Sequence, residues 1–388
     1  MLAYCIAPTE SKIGAKARGS RPSPGNGVVK QKRTTKETVM LNGKLDFRSD
    51  TITEPTEEMR EAMARAKVGD DGREGDPTVR ELEEYSAQLL GKEAALFVIS
   101  GTMGNLVSIL AHTRHGQEAI LERDAHIFWT EVAGISAVGG LLVNRVAGTD
   151  GVMAPGDVEA AIRIAKLHFP ETGLICLENT HNMAGGTVWT VAQMAAVKAV
   201  AERHGIPVHL DGARIFNAAV ALGVPVKEIA AQTDSATFCL SKGLSAPVGS
   251  IIVGTKKFIE TAKKKRQMLG GTTRQGGVIA AAGLVAVRTM VARLAEDHAL
   301  ARTLAERLRP IPGLDVDLRT VQTNIVRTKV SGLGVPAAKV AELLTQRNVY
   351  VLAQQADTLR WLTHRHVTKA DVDAAAVVMA KVAEELHG

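Results

Sequence analysis

The chain reads as an α/β protein: a mainly parallel seven-stranded sheet with helices on both faces, followed by a small carboxyl-terminal α/β domain. Three observations predict this. From Thr78 onward, short apolar runs alternate with helical stretches, the pattern of βα units. Two of those runs, Val208-His209-Leu210-Asp211 and Phe238-Cys239-Leu240-Ser241-Lys242, end on a charged residue, as strands do at the carboxyl edge where open α/β sheets hold their ligands. After Pro310 the alternation becomes shorter, which marks a second, smaller unit.

In chain order, a helix is expected over 78–90, with Leu82, Leu89 and Leu90 on one face. Strands are expected over 94–99, 119–121, 141–146, 174–177, 207–210, 236–240 and 250–253, each an apolar run long enough to cross a buried sheet. Helical stretches over 190–203 and 258–268 join them, and 276–308 reads as one or two long helices rich in Ala, Val and Leu. Strand-like 324–327, a helix over 336–347, strand-like 349–352 and 359–363, and a last helix over 369–386 make up the small domain. The expected division is a basic tail over 1–44, a large domain over 45–290 and a small one over 291–388.

With 388 residues, 45% hydrophobic and 23% charged, the chain can bury a large core. Its net charge of +6 is concentrated in residues 1–44, which hold nine Lys or Arg against Glu10 and Glu37. The remainder is close to neutral and poor in aromatics, which argues against a nucleic-acid face. The tail composition permits a transit peptide, a disordered tail or an upstream start-codon artefact; its basic residues show no amphipathic repeat, which ranks the last two first, and Met40 offers an alternative start. No apolar run approaches the roughly 20 residues of a membrane helix. Cys5, Cys176 and Cys239 form no disulfide or metal pattern, so a reducing, cytoplasmic setting and no metal are expected. The pairs His112/His115 and His364/His366 lack further ligands and read as structural or exposed.

Asp211 and, some 30 residues later, Lys242 among small residues form the pair that a pyridoxal 5'-phosphate (PLP) enzyme needs: an amine for the Schiff base and a carboxylate to keep the pyridinium nitrogen protonated. The stretch Ser100-Gly101-Thr102-Met103-Gly104-Asn105 joins a strand to a helix expected to begin near Met103, where backbone amides and the Thr102 hydroxyl could meet a phosphate. By itself such a turn is a weak signal. The polar block Asp46-Phe47-Arg48-Ser49-Asp50-Thr51 reads equally as a loop near a charged ligand or as a turn leading to a helix N-cap at Thr56.

Taken as a set, Phe47-Arg48-Ser49-Asp50-Thr51, Ser100-Gly101-Thr102-Met103-Gly104-Asn105, Glu178-Asn179-Thr180-His181-Asn182, His209-Leu210-Asp211-Gly212-Ala213-Arg214, Cys239-Leu240-Ser241-Lys242-Gly243 and Met268-Leu269-Gly270-Gly271 closely resemble the L-threonine aldolases, in the β-eliminating lyase group of fold-type I PLP enzymes. The resemblance runs in order from about residue 45 to the last helix. It implies a fold-type I PLP-dependent transferase-like fold and retro-aldol cleavage of L-threonine or L-allo-threonine to glycine and acetaldehyde. Lys242 would form the Schiff base, Asp211 would hold the pyridinium nitrogen, and Gly101 and Thr102 would hold the phosphate. His126 would stack on the cofactor ring and His168 would reach the substrate hydroxyl, either of them serving as the base. Ser49, Arg214 and Arg360 would clamp the substrate carboxylate, a task that suits the planar guanidinium fork, with Arg214 also counted beside the cofactor. Arg274 would reach the phosphate of a neighbouring subunit, which implies a homotetramer with shared sites.

Three positions depart from the family pattern. Arg73 stands where a site-lining tyrosine is usual, Gln267 where a lysine is often offered to a neighbour's phosphate, and Thr130 where an aromatic residue often flanks the aldehyde methyl group. The smaller Thr130 is expected to admit aromatic substrates such as phenylserine. The rival readings are another fold-type I activity, a β-lyase or an aminotransferase, and a non-catalytic protein whose basic tail contacts nucleic acid or a membrane.

Overall fold

The computed structural model describes residues 43–164 and 166–387; the tail readings at Cys5, Met40 and the basic residues up to position 36 lie outside the described residues. The central sheet contains β1 (Ala94–Val98), β2 (Glu118–Glu122), β3 (Leu142–Val146), β4 (Thr172–Glu178), β5 (Val208–Asp211), β6 (Ser235–Cys239) and β7 (Ser250–Gly254), in the order β1-β7-β6-β5-β4-β2-β3. Pairs from β6 through to β3 are parallel, and β7 runs antiparallel to both β6 and β1. Each strand lies within two residues of its expected place. The reason is burial on both faces: every residue of β2, β4, β5, β6 and β7 is buried, so these strands read as apolar runs rather than alternations.

Helix boundaries follow from caps. In α1 (Glu57–Ala64), Thr56 accepts the Met59 amide, as the sequence allowed. In α2 (Pro77–Leu90), the Asp76 carboxylate accepts the amides of Thr78 and Val79, Pro77 sits at the first turn, and Gly91 ends the helix in the left-handed region at φ 63°. The next helix, α3 (Gly101–His112), starts two residues before the expected point because Ser100 caps it, accepting the Met103 amide at 3.2 Å. Sequence periodicity missed α4 (Ile215–Leu222), whose eight residues are too few and too uniformly apolar to show a helical stripe. The 276–308 stretch divides into α5 (Gly277–Thr289) and α6 (Leu294–Leu308), bent by 71° from one another. No single helix among the described residues is long and apolar enough to cross a membrane.

A second antiparallel sheet, β8 (Ile325–Lys329), β9 (Leu352–Gln355) and β10 (Thr358–Leu362) in the order β8-β10-β9, packs with α6 and the last helix, α7 (Lys369–His387). Its core also takes Phe47, whose ring meets Trp361 edge-on at 5.8 Å. The segment after Lys44, which the sequence reading places with the large domain, therefore begins on the smaller core. Leu45–Asp46 pairs in parallel with Val349–Tyr350, and the Leu362 amide donates to Phe47 O at 2.9 Å. Six residues further on, Thr53 Oγ1 donates to Lys242 O at 2.9 Å, so one short stretch ties the two cores together at the carboxyl edge of the large sheet. Leu294, at the start of α6, belongs to the large core, and Ala301 to Leu308 belong to the small one.

Candidate active site

A cavity of about 280 Å3 opens at the carboxyl ends of β1, β5 and β6. Lys242 and Asp211 both line it, together with Ser100, Gly101, Thr102, Asn105, His126, Glu131 and Cys239. Chain direction explains the convergence: β5 and β6 are parallel neighbours, so their carboxyl ends emerge side by side. The Lys242 backbone is fixed twice, its carbonyl accepting from Thr53 Oγ1 and from the Ser245 amide, with Ser245 buried at φ 65° to close the turn. At the opposite wall, a Cβ on Gly101 would lie 2.8 Å from Cys239 Sγ, so only glycine lets the start of α3 approach β6 here. Gly101 and Thr102 at that helix start line the cavity, where amides of a helix N-terminus suit a phosphate.

Asp211 is buried, and its Oδ2 accepts from Asn105 Nδ2 at 3.0 Å. The same amide nitrogen donates to Glu131 Oε1 at 2.7 Å. His126 Nδ1 sits 3.0 Å from that Glu131 oxygen and 3.9 Å from Asp211 Oδ2. Burial pulls the His126 imidazole down, but the Glu131 hydrogen bond and the charges of Asp211 and Glu178 outweigh it and hold the ring above its ordinary value. Burial likewise pushes the Glu131 carboxyl up. Glu178 fixes the backbone on both sides, its two oxygens accepting the amides of His126 at 2.7 Å and Asn182 at 2.8 Å. Behind it, burial lowers His181 while Glu178 and Glu122 raise it, with a net upward shift.

Arg360 reaches the same region from β10. Its Nη1 donates to Asn182 Oδ1 at 2.9 Å and its Nη2 to Arg48 O at 3.0 Å, while its buried Nε finds no partner among the described residues. Arg214 is arranged differently from the expected free clamp. Its Nε and Nη2 both engage Asp50, so Nη1 is the nitrogen left without a partner among the described residues. Asp50 thus neutralises one of two neighbouring guanidinium groups and leaves a net positive charge. Burial and the Arg214 charge push Arg360 down to about 10, still protonated at neutral pH. Ser49 lies at the edge of this group, its Oγ accepting from the Thr51 amide at 3.2 Å.

Three expected site residues lie elsewhere on this chain. His168 is exposed in a turn between the bridged residues Lys166 and Phe169, because no strand end carries it toward the cavity. Thr130 is exposed just after the short helix His126–Trp129, whose turn directs it away from the cavity lining. Arg274 is exposed beside Asp70, at 3.7 Å. Of the departures, Arg73 pairs with Asp70 at the surface and Gln267 is exposed. Sequence reasoning assigned no role to Asn105, Asp50 and Glu178, although all three fall inside the quoted motifs; Glu131 lies outside them.

The donor set fits PLP. An amine and a buried carboxylate flank one cavity, and a glycine at a helix start adjoins it; Ser49, Arg214 and Arg360 are not among the residues lining it. Comparison with known proteins agrees. Residues 46–331 match the β-eliminating lyase family. The chain is 45% identical over 338 residues to low-specificity L-threonine aldolase 1 of Arabidopsis thaliana, covering 86% of this chain and 94% of the relative. It is 40% identical over 333 residues to the low specificity L-threonine aldolase of Escherichia coli strain K12, covering 86% and 97%. Among solved structures, the threonine aldolase of Leishmania major has the same fold, with a TM-score of 0.75 at 19% identity, covering 87% of this chain and 99% of that one.

Proposed function

Because this chain belongs to the β-eliminating lyase family, we propose that it is a PLP-dependent aldehyde-lyase that cleaves L-threonine, L-allo-threonine or both to glycine and acetaldehyde. The carrying observation is that Lys242 and Asp211 line one cavity whose floor is the start of α3. Bound there, PLP would supply an electron sink for the pair left on Cα when the Cα–Cβ bond breaks.

The remaining work falls to side chains. Lys242 would carry the cofactor, Asp211 would hold its ring nitrogen, and Gly101 with Thr102 would bind its phosphate through amides and a hydroxyl. Arg360, the remaining Nη1 of Arg214, and Ser49 would bind the substrate carboxylate and so turn the scissile bond perpendicular to the ring. His126 would face the ring and, directly or through water, take the β-hydroxyl proton. Glu131, 3.0 Å from Nδ1, would stabilise the imidazolium that results. The homotetramer with shared sites belongs to the same reading: Arg274, exposed here, would serve a neighbouring subunit's cavity. Free, buried Cys176 and Cys239 support action in the reducing cytoplasm.

The test is product analysis. Purified holoenzyme given L-threonine should release glycine and acetaldehyde in equal amounts, and Lys242→Ala should abolish both that turnover and the visible absorbance of the bound cofactor. Release of pyruvate or another keto acid would identify a β-lyase or aminotransferase instead.

A further inference from the structure

Asp211 is the inner end of a hydrogen-bond chain that runs to the last turn of α3. His112 Nε2 lies 2.7 Å from Ser235 Oγ, which lies 2.8 Å from His209 Nδ1. His209 Nε2 lies 3.2 Å from Asn105 Oδ1, and Asn105 Nδ2 donates to both Asp211 and Glu131. With both rings neutral, one proton arrangement satisfies every contact. Ionised carboxylates only accept, so Asn105 must turn its NH2 to them and its oxygen to His209. His209 must then carry its proton on Nε2 and accept at Nδ1 from the Ser235 hydroxyl, which accepts in turn from His112 Nε2–H. The opposite His209 tautomer would set a lone pair against Asn105 Oδ1.

The fold builds this chain from three elements. Asn105 and His112 are seven residues apart on α3 and share a face. The register of β5 and β6 sets His209 opposite Ser235, both fully buried. A Cβ on Gly104 would lie 2.5 Å from Thr237 Cγ2, so a glycine is what lets α3 approach β6 closely enough for Asn105 to reach Asp211. Burial pushes His209 down to about 3 and His112 to about 4, which keeps both rings neutral, as the arrangement requires.

We infer that His112, Ser235 and His209 are positioning residues that lock the Asn105 amide with its two N–H groups on Asp211 and Glu131, and thereby hold the Asp211 carboxylate in place against the cofactor ring. This rests on the reading of the cavity as a PLP site. With the lock open, the Asn105 amide can turn over and bring its oxygen against two carboxylates. Asp211 then loses its amide donor and with it the placement that pairs it with a protonated ring nitrogen.

The experiment uses holoenzyme labelled with 15N at histidine, and three variants. In the wild-type protein near neutral pH, His209 and His112 should both give the signals of neutral Nε2–H tautomers; an Nδ1–H tautomer or an imidazolium at His209 overturns the inference. Ser235→Ala removes the hydroxyl, and His112→Phe removes the outer donor while keeping an aromatic ring stacked on Phe258, as His112 is at 4.4 Å. Each should shift the His209 signals and lower kcat for threonine about fivefold, the worth of one net hydrogen bond, with KM unchanged and the melting temperature lowered only by the loss of that buried bond. His112→Gln, which can still donate to Ser235, should restore the wild-type tautomer and most of kcat. Variants with wild-type kcat and unmoved His209 signals would refute the lock. A wild-type holoenzyme that has the expected tautomers but does not cleave threonine would refute the functional reading and leave the lock standing.

Discussion

Asp50 and Arg214 form a two-point ion pair, with Arg214 Nε on Oδ2 and Nη2 on Oδ1, each at 2.7 Å, and with side-chain exposures of 0% and 6%. The pair joins the segment that leaves the small core to the loop after β5, within reach of the charges of Lys242 and Arg360. Removing one partner leaves the other charged and buried, which costs about 3–5 kcal/mol. Asp50→Ala should therefore lose about that much stability in urea denaturation. It should also weaken cofactor retention, because Arg214 and Arg360 would face one another without their shared counter-ion. A loss below about 1 kcal/mol would show that the pair is not a structural strut.

The same pair sets acid stability. Burial pushes the Asp50 carboxyl up, but Arg214, with Lys242 and Arg360 beyond it, brings it down to about 2. A carboxyl depressed in the folded state contributes stability that is complete above its unfolded pKa of roughly 3.9 and disappears as pH falls toward the folded value. The contribution is on the order of 2 kcal/mol. Comparing the wild type with Asp50→Asn should show the stability gap narrowing between about pH 4 and pH 2. A gap that stays constant over that window would remove Asp50 as the group responsible.

Glu83 makes the opposite case. Burial raises it to about 7, although it accepts the Phe97 amide at 2.8 Å and lies near Lys263 and Arg266. An acid raised in the folded state binds its proton more tightly there, so stability falls as pH rises from the unfolded value near 4.3 through 7. A glutamine oxygen can still accept from Phe97 without any charge to bury. Glu83→Gln should thus be more stable than the wild type at about pH 8 and equal to it at about pH 4, as read by melting temperature. Equal stability at both pH values would mean that Glu83 is ionised at no cost.

What the sequence disclosed follows from where the physics is local. Most of the seven strands were legible because five of them, β2 and β4 to β7, are buried on both faces and so read as apolar runs, and Asp211 and Lys242 stood out as charges at the ends of two of these. The pairing of Leu45–Asp46 with Val349–Tyr350 was not legible: two residues show no alternation, and their partner is about 300 positions away. Asp50 and Arg214 were each visible in polar motifs, but their pairing spans 164 residues and has no periodic signature. Glu131 was missed because it follows a four-residue helix and precedes Val132 and Ala133 at φ 56° and 53°, a local turn that no propensity favours. His168 shows the converse: a motif match places a residue in a family position, and exposure on the single chain shows that the cavity of this chain does not receive it.

Arg360 offers the sharpest test of substrate recognition, because its contacts within the chain orient it without using it up. Nη1 and Nη2 are held by Asn182 and by Arg48 O, and Nε remains buried without a partner. A carboxylate arriving there gains a charge-assisted hydrogen bond, worth about 1.5–3 kcal/mol, or roughly 10- to 150-fold in affinity. Arg360→Ala should raise KM for threonine by at least the lower figure and weaken glycine binding, followed by its spectral change in the holoenzyme, by the same factor. Arg360→Lys keeps the charge but cannot fork, so it should recover only part of the loss. Glycine binding that is unchanged in both variants would assign the carboxylate to Arg214 Nη1 and Ser49 alone, and would leave Arg360 as the brace between β10 and the loop at Asn182.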